Sequence, residues 1–500
     1  MPILHYHKIL LFAMFLSPVF SFGQEDALSV AKELNRQYKF IEAEKILDEA
    51  YRQEPNDLYI GWLYAHTLHQ NGDFDKSIDV YNKVIILFPD NIELKLDRIN
   101  KLTVSGDFSN AIISTENIID DLADGNKYSA YKTLSLIYFW KGDYDQSLKE
   151  IDKAFLIKND EPSAILFRNN IVDARSNWAG LDVKYGFDEQ PLASFIPTLS
   201  AGYYVNSNLS LQADLTTPIF AIDDENFNAQ WLNVATKYKF IEQGLSLDLN
   251  VGAFNHDDLA VTGGIKLNKK LLKYLTISVE IDKKPFLATT FAAKNKIMMT
   301  IVGAEVNWNN TDGILGQALV RRNYFQEQDK YFTTYGGWLV LPAYNVKDFE
   351  FRFGYGINYS DSKTDVFSAV DSLSTIIADW DSTYVIEGSY DPFYSPNDQI
   401  IHSLVGIVTF SPNDNLSLKA DVNYGIRATT NTPILFLDIN SNKEIFVNKN
   451  FFVQSYHPLD LNVSVNYKFS RSLSMMAFYK YQKTFFYENN VMGISTKLLF

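Results

Sequence analysis

The 500-residue chain has no cysteine, which excludes disulfide bridges, thiolate-held metals and a lipoprotein anchor. It has no excess of base. Its 45 Lys and Arg stand against 60 Asp and Glu, and a formal charge of −15 is opposite in sign to the basic footprint of a nucleic-acid binder. Its apolar run Ile9–Phe20 is about a dozen residues long, short of the roughly 20 that cross a bilayer as a helix. Mean hydropathy is −0.14, so the chain is not built from transmembrane helices. It carries no G-x-S-x-G elbow, no H-E-x-x-H helix and no Walker loop, and its seven histidines are scattered. The expectation is a protein that is not an enzyme, with no cofactor and no metal. His66 and His69, three apart on one helical stretch, read as packed or exposed histidines before they read as half a metal site.

What is present in quantity is aromatic: 30 Tyr and 36 Phe. Many rings at modest overall hydropathy suit a transmembrane β-barrel, where lipid-facing and lumen-facing residues alternate and the average looks soluble. The N-terminus reads as a secretory signal over residues 1–23. Lys8 precedes the apolar core, and Ser21 and Gly23 fit the small-residue positions of a cleavage site before Gln24.

Residues 24–176 are helical and repetitive. Aligning Q-N-G-D-F-D-K-S, V-S-G-D-F-S-N-A and W-K-G-D-Y-D-Q-S superimposes Phe74, Phe108 and Tyr144, and Phe40 leads the set. Three positions on from these rings stand the small residues Ala43, Ser77, Ala111 and Ser147. The first three rings lie 34 residues apart and the fourth 36 further on. A 34-residue helix–turn–helix period with these positions resembles the tetratricopeptide repeat. That resemblance implies a solenoid whose groove binds another protein.

From residue 177 to 500 the period changes to two. In F-E-F-R-F-G-Y-G-I-N-Y, Phe349, Phe351, Phe353 and Tyr355 form one face, with Glu350 and Arg352 on the other. Such stretches run about ten to twelve residues, the length that crosses a bilayer at a tilt, where a soluble sandwich uses about five or six. About sixteen strands are expected. The even-numbered connections are short, and the two longest, Asp361–Gln399 and Ala428–Pro458, are odd-numbered, where the outer loops of a bacterial barrel belong. The fold class is thus an all-α repeat solenoid followed by an antiparallel transmembrane β-barrel. The expected location is the outer membrane of a Gram-negative bacterium, with the solenoid in the periplasm.

The inward row carries Gln212, Asp214, Asp248, Asn250, Glu350, Arg352, Lys419, Asp421, Arg427, Asn462, Asn466 and Lys468. These mixed polar groups can exchange hydrogen bonds with sugar hydroxyls. Phe500, Leu498 and Ile494 form the lipid row of a final strand that pairs with the first around Leu181–Phe187. An alternating last strand ending in Phe resembles the signal read by the barrel assembly machinery. The acidic runs Asp223-Asp224-Glu225 and Asp257-Asp258 fall in outer loops, as solvated charge or as partners of the cations that bridge lipopolysaccharide.

A repeat solenoid before a barrel resembles bacterial exopolysaccharide export proteins, among them the outer-membrane subunit of cellulose secretion and the poly-N-acetylglucosamine porin. The stretch D-P-F-Y-S-P-N-D-Q-I-I-H, with Phe393-Tyr394-Ser395-Pro396 before a strand, carries the local part of that resemblance. The same order of parts also resembles the YaiO family of outer-membrane barrels. Two classes follow. In the first the barrel exports a polysaccharide, and the solenoid docks a periplasmic or outer-membrane partner. In the second it is a non-transporting barrel that anchors a scaffold and recruits partners. Membrane lipid and lipopolysaccharide surround the barrel in both.

Overall fold

The structure, a computed structural model, describes residues 24–500 apart from 190–191, 223–224, 273, 311–312, 326–329 and 381–383. The signal segment 1–23, and Asp223 and Asp224 with it, lie outside the described residues. Two compact units result: one holds the chain up to Ile137 together with Lys149–Glu161, the other Tyr138–Leu148 and Pro162–Phe500.

The helices are α1 (Gln24–Arg36), α2 (Phe40–Gln53), α3 (Leu58–Gln70), α4 (Phe74–Leu87), α5 (Ile92–Ser105), α6 (Phe108–Glu116), α7 (Asp124–Lys141), α8 (Tyr144–Ile157) and α9 (Pro162–Arg175). The four repeat rings each open the second helix of a pair. Just before them the chain turns on a left-handed residue, Gly72 (φ 91°), Gly106 (φ 89°) or Gly142 (φ 84°), where only glycine escapes the Cβ clash. The next N–H closes the turn in each case: Asp73 to the Leu68 carbonyl, Asp107 to Leu102, Asp143 to Tyr138, all at 2.9 Å. The same aspartates cap the following helix, Asp73 accepting from the Lys76 N–H, Asp107 from Asn110 and Asp143 from Gln146, each worth about 1 kcal/mol. In the first repeat Tyr38 takes the left-handed position (φ 59°) and Lys39 makes the same bond to Leu34 at 2.9 Å. Ala43, Ser77, Ala111 and Ser147 are fully buried, because any larger side chain there would hold the two helices of a pair apart.

The second unit is a closed antiparallel barrel. Its staves are β1 (Trp178–Asp188), β2 (Leu192–Asn206), β3 (Leu209–Thr216), β4 (Gln230–Phe240), β5 (Leu245–His256), β6 (Asp258–Leu272), β7 (Leu275–Pro285) and β8 (Met298–Asn309). The ring continues with β9 (Leu315–Phe325), β10 (Lys330–Val340), β11 (Phe349–Ser362), β12 (Gln399–Asn413), β13 (Leu416–Ile439), β14 (Leu459–Lys468), β15 (Leu473–Lys483) and β16 (Glu488–Leu499). Each stave pairs with the next, and β16 closes on β1 in continuous register from Trp178↔Leu499 to Asp188↔Asn489. Among the described residues sixteen staves complete the circle and leave no edge in the ring.

Alternation decides which face meets what. Leu181, Leu199, Val251, Ile265, Phe353, Leu404 and Ile494 stand exposed on the outer face, while their chain neighbours bond one another inside: Ser495 to Asp182, Ser200 to Asp214, Gln317 to Asn307. The connections at the end where β1 begins and β16 finishes, here the terminal end, are short turns. At the far end the connections from β3 to β4, β7 to β8 and β11 to β12 are longer and structured, whereas β5 passes to β6 through Asp257 alone. β13 runs on past the expected limit at Arg427 and forms a hairpin with Ile445–Tyr456, so the segment Ala428–Pro458 is ribbon rather than loop. Alternation fails to announce it because both of its faces are apolar: Leu435 packs with Ile376 and Ile386 while Ile434 is exposed. A second hairpin, Ile219–Ile222 with Glu225–Asn228, folds against the start of β2.

Candidate functional site

The barrel interior is a hydrophilic wall, many of whose charges are partnered within it. Lys266 holds Glu305 at 2.9 Å and Glu280 at 3.7 Å, and Arg321 holds Glu280 from the other side at 3.0 Å. Lys237 lies 3.4 Å from Asp248, Lys284 3.5 Å from Asp282, and Lys419 2.9 Å from Asp421. A cavity of about 620 Å³ runs along β9 to β16, lined by Asn358, Ser403, Asp421, Asn423, Asp460, Asn462, Lys480 and Gln482, with Trp338 among them. Amides, hydroxyls and balanced charge make a wall that solvates a polar chain without a strong net field.

Strand register places the expected lumen residues. Gln212, Asp214, Asp248, Asn250, Glu350, Lys419, Asp421, Asn462, Asn466 and Lys468 all fall on the inward row. Arg352 is inward but buried: Nε donates to Glu350 at 2.8 Å and Nη1 to the Gly313 carbonyl at 2.9 Å, so it fastens a turn to the wall. Arg427 is corrected. A register shift between His402 and Ser403 leaves Ile426 unpaired, and Arg427 pairs with His402 on the outward row. One extra residue inverts every later position. Leu498 and Ile494 stand on the lipid row, and the Phe500 N–H bonds the Asn177 carbonyl at 2.9 Å.

The far mouth is spanned by an apolar core that the sequence did not announce. In the segment between β11 and β12, Phe393 is 1% exposed and stacks on Phe325 of β9 at 4.0 Å and 5°. Ile297, Val366 and Ala292 complete that cluster. Beside it, the Pro392 carbonyl accepts from Thr289 Oγ1 at 2.7 Å, between β7 and β8. The next residue, Tyr394, stacks on Phe486 at 4.5 Å, between β15 and β16. In a ring of sixteen, these two connections lie eight staves apart, on opposite rims. Three consecutive residues, Pro392 to Tyr394, thus tie one side of the mouth to the other. Burial among rings pushes the Tyr394 hydroxyl up to about 12. Two acidic residues of this end are partnered too: Lys294 holds Glu225 at 2.9 Å and Lys296 pairs with Asp258.

At the terminal end, inside the same unit, the start of α8 and helix α9 fasten to the rim. The Ser207 N–H and the Arg175 guanidinium each donate to Asp145 at 2.8 Å, and Arg471 grips Asp173 at 2.7 Å. Burial raises the Asp145 carboxyl, but the Ser207 bonds and the Arg175 charge outweigh it and hold it below the usual carboxylate range. A second cavity of about 630 Å³ lies here, with Trp178, Tyr204, Lys237, Lys239 and Lys497 in its walls.

In the solenoid, Asp97 of α5 accepts from Trp62 Nε1 and from the Tyr81 hydroxyl, both at 2.6 Å. Lys101 lies 3.7 Å and His66 3.9 Å away. Burial pushes this carboxyl up, yet the surrounding donors and the Lys101 charge prevail and hold it well below its ordinary range. His69 is buried beside this group, on the ring of Phe74 at 4.9 Å. Its Nε2 lies 3.3 Å from the carbonyl of the same Lys101, and no three candidate metal ligands converge among the described residues.

A circle of staves with an apolar outer band and a polar wall is built for lipid outside and water inside. The chain is a tetratricopeptide-repeat solenoid followed by an outer-membrane β-barrel. No family profile matches it. The human protein O-mannosyl-transferase TMTC1 is 29% identical over 106 residues, covering 21% of this chain, and the chain spans 11% of that protein's length. Among solved structures, a bacterial polysaccharide outer membrane secretin is 8% identical over 65% of this chain and 99% of its own, at a TM-score of 0.47. OmpT, an outer membrane protein of Vibrio cholerae, is 10% identical over 65% and 96%, at 0.31. A tetratricopeptide repeat protein from Parabacteroides merdae is 17% identical over 33% and 64%, at 0.28. The barrel and solenoid assignments rest on this chain's own strand register and helix pattern.

Proposed function

We propose that the protein is a gated outer-membrane channel for a secreted polysaccharide, with its repeat solenoid in the periplasm as a docking domain for a protein partner. The observation that carries the reading is the interior. Sixteen staves are wide enough for an aqueous channel, and the wall is polar with many of its charges already partnered, so it can trade hydrogen bonds with a hydroxyl-rich chain without trapping it. The channel works by passive conduction and performs no bond chemistry. The Pro392–Tyr394 crossing supports a mouth that is closed at rest and opens when the segment between β11 and β12 lifts.

The same crossing favours a second reading, in which the barrel never opens and serves to anchor the solenoid, as in a structural or YaiO-like subunit. Efflux separates the two. The full chain is compared with one in which residues 366–394 are replaced by a short Gly-Ser linker, both in liposomes loaded with labelled oligosaccharide. A channel releases sugar only once the crossing is removed. Retention by both proteins, with the barrel folded, overturns transport and leaves the anchor.

A further inference from the structure

We propose that the terminal mouth of the barrel is a binding site for an anionic sugar unit, bearing a carboxylate or a phosphate, held by Lys239 and Lys497 against the indole of Trp178. The proposal rests on the channel reading and deepens it by naming the class of polymer.

Two observations meet in the 630 Å³ cavity. The first concerns charge. Several basic groups on the inner wall, Lys266, Lys284, Arg321 and Lys419 among them, have a carboxylate within 4 Å, and so does Lys237, 3.4 Å from Asp248. Among the described residues Lys239 and Lys497 make no such ion pair, and the Asp248 charge that reaches Lys239 is shared with Lys237. Each instead sits over an aromatic face, Lys497 at 4.9 Å from the Trp178 ring and Lys239 at 5.0 Å from that of Tyr144. A ring face attracts the ammonium but accepts no full charge from it, so both cations remain available to an anion. The acidic residues of the cavity are engaged elsewhere: Asp248 by Lys237 and Asp173 by Arg471. In a chain of formal charge −15, this cavity is locally positive.

The second observation is a platform. Trp178 lies against Gly202 so closely that a Cβ there would fall 2.0 Å from the indole Nε1. Glycine therefore allows the ring to lie along the wall, where a sugar's C–H face can stack on it. Gln212 and Ser210, on the same inward row, offer neutral partners for hydroxyls. Cations flanking an aromatic plane, with amide and hydroxyl beside it, match a sugar that carries negative charge.

The test uses the full chain in detergent micelles, with tryptophan fluorescence and calorimetry as readouts. The probes are a short oligogalacturonide, a sugar phosphate and a neutral cello-oligosaccharide. At least one anionic probe should bind, should quench the indole, and should weaken as salt screens the lysines. The K239Q/K497Q double variant should lose affinity about tenfold or more, the scale of a charge-assisted hydrogen bond. Trp178→Phe should abolish the quench. Which anion binds distinguishes carboxylate from phosphate. The proposal is overturned if the neutral sugar binds as well as both anions, if neither anion binds, or if the double variant binds unchanged. Should the double variant fail to fold, the charge-keeping K239R/K497R pair must retain binding, and the salt dependence of the parent still decides. Sugar efflux from the chain lacking the crossing, without anionic binding, sinks this site and leaves the channel. Binding without any efflux does the reverse.

Discussion

Replacing Phe393 with Ala should unseat the crossing of the far mouth. The ring is 1% exposed, stacked on Phe325 at 4.0 Å and 5.7 Å from Phe332. Truncating a buried Phe costs about 3–5 kcal/mol, of which the aromatic contact itself supplies about 0.5–1.5 kcal/mol. The segment lies at a loop, where neighbours relax into the space, so the lower end of that range applies. Three kcal/mol taken from the closed form alone raises the open-to-closed ratio about 10²-fold. Single-channel recording in planar bilayers should show rare openings in the parent and frequent ones in the variant. Phe353→Ala, which trims an exposed ring on the lipid face, controls for mere loss of an aromatic. Tyr394→Ala acts from the opposite rim, and the two substitutions should not add, because either one frees the segment. A folded Phe393→Ala barrel whose currents equal the parent's would refute closure by this crossing.

Three further outcomes follow from the solenoid. Tyr38→Gly should raise its thermal midpoint by the equivalent of about 0.5–1 kcal/mol, because a left-handed turn then carries no Cβ strain; a lower midpoint would contradict this. Ser77→Leu should destabilise the solenoid by about 1–3 kcal/mol through overpacking, since Ser77 is fully buried and its Oγ donates to the Ala65 carbonyl at 2.6 Å; unchanged helical circular dichroism on heating would count against it. Asp97 has a folded value below its unfolded one, so its contribution is present above the ordinary carboxylate range and is lost as pH falls through and below it. Asp97→Asn should accordingly cost about 1–3 kcal/mol at neutral pH and progressively less in acid, and melting curves with a pH-independent difference would exclude that linkage.

Much of this molecule was legible in its sequence, for reasons that are local. Gly72, Gly106 and Gly142 mark left-handed turns, and the small residues three positions past each repeat ring mark helix contacts. Strand length and strict alternation gave the number of staves, and the alternation of V-M-G-I-S-T-K-L-L-F gave the partner of the last one. What escaped depends on distance or on a single insertion. Ile426 breaks the count of two beside Gly425, a glycine that sits at the register shift but reads in sequence as one more small inward residue, and so Arg427 was placed on the wrong face. Phe393 and Tyr394 were visible only as part of a short segment before a strand, because their partners Phe325 and Phe486 lie far away in the chain. The pairing of Lys497 with Trp178 joins the two ends of the barrel sequence, and no periodicity signals it.

The wall charges have a consequence for how the barrel is put together. Lys184 pairs with Asp182 on its own stave, Lys237 with Asp248 on the next, and Lys266 reaches no further than two staves, to Glu305. None of these pairs spans the bore. Each newly added hairpin therefore arrives with most of its ions matched inside itself or against the strand just before it. A growing, still-open sheet then carries fewer unmatched charges while it waits for closure. Much of the charge of the finished lumen is balanced locally, and the last seam, β16 on β1, closes through backbone pairing and the Ser495–Asp182 hydrogen bond.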